Sequence, residues 1–245
     1  MKEKVDKVVE FAQSESKAKK FSHIYPISDE VKGVMLNEVY GDFTKYVLVR
    51  NYSEFQSILK EYVDSHYLRV EKREALEQNL FWWRVLYDSN QNSEMSCVES
   101  YISENYHRLR NKSLITSWLR EWDRVMPKFY YVGYKYNDRV LVVVDILTEE
   151  TLDVIVYDPL AIPPKKGEIV MGTLIPLGDA LYFPIIDFYH FDVEASEDIA
   201  KHIHHYFDIH LKTSTMHEAF IHVLSVALQI ERLVLMESQE NVSSK

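Results

Sequence analysis

The chain changes its hydrophobic period once, at Pro127, and that change limits the architectures open to it. Ahead of it the spacing is helical. After Ser53, a good N-cap, Phe55, Ile58, Leu59, Tyr62 and Val63 fall at i, i+3, i+4, i+7 and i+8. A helix from about Val70 presents Leu76, Leu80, Trp83 and Tyr87, and one opening at Ser93 presents Met95, Val98, Tyr101 and Ile102. Another opens at Ser113 with Ile115, Trp118, Leu119, Trp122 and Val125. Upstream, Val5, Val8, Val9 and Ala12 share one helical face, and Ser28 caps a short helix carrying Val31, Val34 and Met35. Residues 42–50 fit strand and helix equally. Amphipathic helices joined by short polar turns predict a helical bundle.

Beyond Pro127 the runs are β-branched and aromatic: 129–136, 140–146, 152–157, 168–175 and 180–186. Asn137-Asp138 suits a tight hairpin, and a second hairpin is expected around Pro176-Leu177-Gly178-Asp179. The span Pro159–Gly167, with three prolines and two lysines, reads as a loop. Five short strands at this spacing predict a small antiparallel β barrel or a curled sheet. Ser196 then caps a helix to about Phe207, and a last helix runs from about Thr215 to Met236. The fold class expected is α+β. It comprises a helical domain over 1–126, an antiparallel β module over 127–193, a C-terminal helical pair over 194–238 packing on the preceding parts, and a polar tail over 239–245.

Composition narrows the functions. With 245 residues, 47% of them hydrophobic, the chain can build one large core or two small ones. Six glycines leave few places for a loop that cradles phosphate, and no Walker loop, nucleophile elbow, kinase signature or dinucleotide fingerprint is present. Cys97 stands alone, which excludes an intrachain disulfide and a four-cysteine zinc site. Met1–Lys20 is rich in lysine and lacks the apolar core of a signal peptide, so a cytoplasmic location is expected. The apolar stretch Ala219–Leu235 is broken by His222, Ser225, Gln229, Glu231 and Arg232 and reads as a buried helix, with no membrane association expected. The formal charge is −10; residues 1–125 are nearly balanced, with 19 Lys+Arg and 20 Asp+Glu, so the second half carries −9 and would repel a phosphate backbone.

The order Trp122, Pro127, Val132-Gly133, Val142 to Thr148, Gly167 to Pro176 and Tyr182-Phe183 resembles a β module of uncharacterised Firmicutes proteins, over roughly residues 118–190. Those proteins have a helical N-terminal part, and some end in a SEC-C zinc-binding segment. This chain lacks the cysteines and the Cys-His ending of that segment, so the resemblance implies no zinc here, and it supplies no catalytic residues.

Four groups of residues carry candidate chemistry. Seven of the ten histidines lie after residue 189; His202 and His205 share a helical face that His210 could join as a metal site. His217 and His222 are five apart, against the four that a zincin helix needs, while His190-Phe191-Asp192 has the spacing of two facial-triad ligands or of a solvated turn. Asp145, Asp153, Asp158, Asp179, Asp187 and Asp192 read as turn and edge residues of the β segment. Around the turn Arg110-Asn111-Lys112, the cations Arg108, Arg110, Lys112 and Arg120 give a helix-turn-helix-like outline over 94–124, with Ser113, Thr116 and Ser117 facing a groove. Last, Phe81-Trp82-Trp83 puts rings 100° apart on a helix, so one of Trp82 and Trp83 must line a second interface, and tyrosines decorate both faces of the first strand.

With no catalytic constellation and an acidic, aromatic-rich second half, the chain reads as a non-catalytic cytoplasmic bacterial protein-interaction or accessory protein, in a setting compatible with a phage or mobile-element effector or inhibitor. Trp82, Trp83, Tyr134 and Tyr136 are the expected contacts to a protein partner, and no cofactor is expected. The alternatives are a DNA-binding regulator using Arg108, Arg110, Lys112 and Arg120, and a metal-dependent hydrolase using His202, His205 and His210.

Overall fold

A computed structural model describes residues 20–91 and 95–243. The expected helix over the first residues and the Ser93 cap lie outside them. Helix α1, Asp29–Gly33, follows the extended Ser28 and runs without a break through a π-helical stretch, Val34–Tyr40, into α2, Gly41–Ser65. Residues 42–50 are therefore helical, and Ser53 sits inside a helix rather than at its start. Burial decides this: Phe43, Val47, Phe55, Leu59 and Val63 stand four or eight apart in one row facing the core. Asn51 fills the gap in that row by returning its amide to the Val47 carbonyl, 2.8 Å away.

Helix α3, Val70–Gln91, is followed by α4, Cys97–Glu104, whose cap is Ser96, with its Oγ accepting from the Glu99 amide. A single turn, α5, Tyr106–Leu109, precedes α6, Ser113–Glu121, and a 3₁₀ turn, Trp122–Arg124.

Seven strands follow: β1 Lys128–Lys135, β2 Val140–Asp145, β3 Thr151–Ile155, β4 Ile169–Gly172, β5 Leu174–Gly178, β6 Leu181–Pro184 and β7 Tyr189–His190. Their order is β5-β6-β3-β2-β1-β4-β7. Only Thr173 separates β4 from β5, yet the two lie on opposite sides of that order, so the sheet must curl until one bent stretch joins both. The curled sheet matches the sequence expectation in kind, but it has seven strands where five are expected, β7 being additional, and β3 and β6 pair in parallel. The chain from 168 to 175, read as one strand, is this bent pair.

Pro176–Gly178 belong to β5, and the turn falls two residues later, on Asp179 and Ala180, both at positive φ (54° and 56°). Gly178 has φ +95°, and a Cβ there would come within 2.6 Å of Ile27, so the close approach of the 23–27 segment requires glycine. That segment is held by amides of Asp179 and Ala180 donating to the carbonyls of Tyr25 and His23.

The C-terminal pair is α7, Val193–His210, and α8, Met216–Ser243. Asp192, not Ser196, stands at the N-cap of α7; Ser196 lies in the first turns, its Oγ donating to the Asp192 carbonyl. Thr215 and Glu218 form a capping box at the start of α8, each side chain accepting from the other's amide. Met216–Glu237 is long and apolar enough to cross a bilayer, but Ala219, Phe220, Val223, Leu224, Ala227 and Leu228 face the core.

Two apolar clusters result. The smaller fills the curl with Tyr130, Val132, Leu141, Val143, Val154, Val170 and Leu174. The larger takes the opposite face of the bent stretch, Ile169, Met171, Ile175 and Leu177, together with side chains from α2, α3, α4, α6, α7 and α8. The two-sided burial of β4 and β5 is why they read as continuous apolar runs. Trp118 anchors the contact: it is wholly buried, and its indole N–H donates to the Pro176 carbonyl at 2.8 Å.

Candidate functional site

The largest aromatic exposure on the sheet arises from a single irregularity. In β1, Tyr130 and Val132 point into the curl and Tyr131 points out. Simple alternation would then send Tyr134 and Tyr136 inward. The pairing with β2 shifts between Val132 and Tyr134, so Gly133 forms a bulge, and Tyr134 stands opposite Val142, on the outer face. Tyr136 follows two residues on, its amide donating to the Val140 carbonyl at 2.9 Å. The Tyr134 and Tyr136 rings meet edge to face at 5.0 Å. With Tyr131 they form a line of tyrosines that are 43%, 52% and 67% exposed at 131, 134 and 136.

Half-buried Val142 and Val144 back the line, opposite exposed Asp153 and Thr151 of β3. Exposed Asp138, Glu149 and Glu150 lie at the hairpin ends. Lys135 is drawn off by Asp138 at 3.0 Å. The face is aromatic at its centre, with carboxylates at the hairpin ends and the exposed Lys165 and Lys166 beside Gly167 at its Tyr131 end.

The two tryptophans expected beside these tyrosines go elsewhere. Trp82 is buried, 3% exposed, between Phe81 and Trp122. Trp83 does line a second interface, but with α8 of the same chain: its indole N–H donates to the His217 carbonyl at 3.0 Å and its ring stacks on Tyr87. Residues 100° apart on α3 thus serve two intrachain contacts.

Two of the four basic candidates are already paired. Arg108 donates to the Asp42 carboxylate and the Tyr101 hydroxyl, and Arg120 grips both oxygens of Glu99, at 2.5 and 3.2 Å. Of the supposed groove residues, Ser117 accepts the Phe21 amide and Thr116 turns back to the Ser113 carbonyl. Arg110 stands exposed at the turn beside the half-buried Lys112.

The histidines do not converge. His202 bonds the Asp198 carbonyl and lies along Tyr206, His205 meets the edge of the same Tyr206, and His210 stacks on His222 at 4.5 Å. Among the described residues no three of His, Cys, Asp and Glu are grouped to hold a metal ion. His190 and Asp192 likewise take different partners: the former Glu168, the latter Arg69 and Lys72. Asp145, expected at an edge, is fully buried and holds Lys128 Nζ at 2.5 Å while accepting the Leu147 amide.

No family model, curated protein or solved structure matches this chain.

Sequence reasoning missed the polar knot where α3, β7 and α8 meet. Glu231, 2% exposed, accepts from Lys72 Nζ at 2.6 Å, the Tyr189 hydroxyl at 2.7 Å and the Asp192 amide at 2.7 Å. Burial, then the Glu231 carboxylate, hold the Tyr189 hydroxyl well above the ordinary tyrosine range, so it stays a donor. The available signal was Glu231 itself, a carboxylate inside an apolar helix, which must find a partner if buried.

Proposed function

We propose that the chain is a protein-interaction module and that its partner docks on the outer face of β1 and β2, over Tyr131, Tyr134 and Tyr136. The observation that carries this reading is the bulge at Gly133, which turns Tyr134 and Tyr136 outward beside Tyr131 where regular alternation would have buried them. Tyrosine brings large contact area at low entropic cost and is enriched at interaction hot spots. The carboxylates at the hairpin ends and the −9 of the second half favour a partner of basic surface and would speed its approach at low salt.

Pull-down from the native host with the parent chain and with Tyr134→Ala/Tyr136→Ala tests it. The parent is expected to retain a stoichiometric basic protein and the double variant to lose it, a drop of 2 kcal/mol or more, roughly 30-fold in Kd. Arg108→Ala/Arg120→Ala should bind as the parent does. Retention by the tyrosine variant and loss by the arginine variant would reverse the assignment.

A further inference from the structure

The register across β1, β2 and β3 sets three side chains in one row on the outer face: Tyr134 opposite Val142, and Val142 opposite Asp153. Residues directly opposite in a sheet share a face, and two strand spacings put the outer two backbones about 10 Å apart. Tyr134 and Asp153 are exposed and Val142 is half-buried, so the row is a ring and a carboxylate with an apolar floor between them. Tyr136 braces the ring, edge to face at 5.0 Å.

Among the described residues no cation pairs with Asp153, because those around it are engaged or lie elsewhere. Asp138 holds Lys135, and the buried Asp145 holds Lys128. Lys32 reaches the turn ahead of Leu181, the β6 neighbour of Asp153, but is held there by Asp179. Arg139 directs its guanidinium to the carbonyls of Asp158, Pro159 and Ala161. The exposed Lys165 and Lys166 lie on the β4 side of β1, with β1 and β2 between them and Asp153, while Glu149 and Glu150 add negative charge ahead of β3.

The chain itself shows what fits a tyrosine ring and a carboxylate set side by side. Arg50 stands 4.3 Å over the Tyr46 ring while pairing with Glu104 at 2.7 Å, and Arg108 lies 5.9 Å from the Tyr101 ring while donating to Asp42. A guanidinium is planar, stacks on an aromatic face and meets a carboxylate with parallel N–H groups; a lysine ammonium offers the charge without the plane.

We propose that the partner inserts an arginine at this row, its guanidinium lying over Val142 with the Tyr134 ring on one side and the Asp153 carboxylate on the other. The assignment rests on the docking face proposed above and names the side chain that this face takes.

An NMR titration of the full chain, with isotopically labelled tyrosine rings, against acetyl-Gly-Arg-Gly-amide and its lysine and citrulline counterparts tests it without the native partner. The arginine peptide is expected to shift the Tyr134 ring signals and saturate at millimolar concentration. The lysine peptide should bind roughly threefold more weakly or less, and the uncharged citrulline peptide should not bind. Asp153→Asn, a change at an exposed position, should weaken the arginine peptide roughly fivefold or more and release the native partner in the pull-down. Asp208→Asn, which removes the same charge from α7, should do neither. No shift of Tyr134 by the arginine peptide, equal binding of the citrulline peptide, tighter binding of the lysine peptide, or unchanged affinity in Asp153→Asn would overturn it. Should one of these results come with loss of the native partner by Tyr134→Ala/Tyr136→Ala, the docking face stands and the arginine site alone falls.

Discussion

Glu231→Ala is expected to cost the fold about 3–5 kcal/mol, because it strands the Tyr189 hydroxyl and the Asp192 amide in a buried knot and takes from Lys72 the closer of its two carboxylates. For a chain of this length that lowers Tm by roughly 6–20 °C. Glu231→Gln keeps an acceptor oxygen and the side-chain shape, and should lose less. Urea unfolding of the parent and both variants checks it; little or no loss for Glu231→Ala would mean that the buried hydrogen bonds of Glu231 are not what holds α3, β7 and α8 together.

Trp118→Ala should be as damaging, about 3–5 kcal/mol, for a different reason. It empties the space of the largest side chain between α6 and the bent strand, and leaves the buried Pro176 carbonyl without the indole donor. Its ring also packs near Trp122 and Phe183, which join the helices to the sheet in one cluster. Trp118→Phe refills part of the space but not the donor, and should recover part of the loss. An exposed control, Tyr134→Ala, should stay within about 0.5 kcal/mol of the parent. A Trp118→Ala variant as stable as that control would contradict the shared core.

Most of the fold was legible because period 3.6 and period 2 are strong local signals, separated here by one proline. The errors fall where tertiary contact decided. Residues 42–50, which fit strand and helix equally by local pattern, are helical because Phe43 and Val47 extend a row facing the core. The parallel pairing of β3 with β6, and the division of one apolar run into β4 and β5, depend on the curl of the whole sheet, which no local window contains. Phe81-Trp82-Trp83 correctly implied two interfaces, but spacing alone does not say that both lie within the chain. The tyrosines at 134 and 136 were legible as candidates; the bulge that brings them to one face with Tyr131 was not, because Gly133 in a strand pattern marks an irregularity without giving its direction. The row of Tyr134, Val142 and Asp153 depends on the register of three strands, which spacing rules do not reach.

Hydroxyl-radical footprinting of the chain, alone and with its recovered partner, tests the docking face most directly. Protection confined to Tyr131, Tyr134 and Tyr136 and the β2 residues behind them is the result expected. Unchanged labelling of those tyrosines, with protection falling instead on the segment around Arg110 and Lys112, would contradict it.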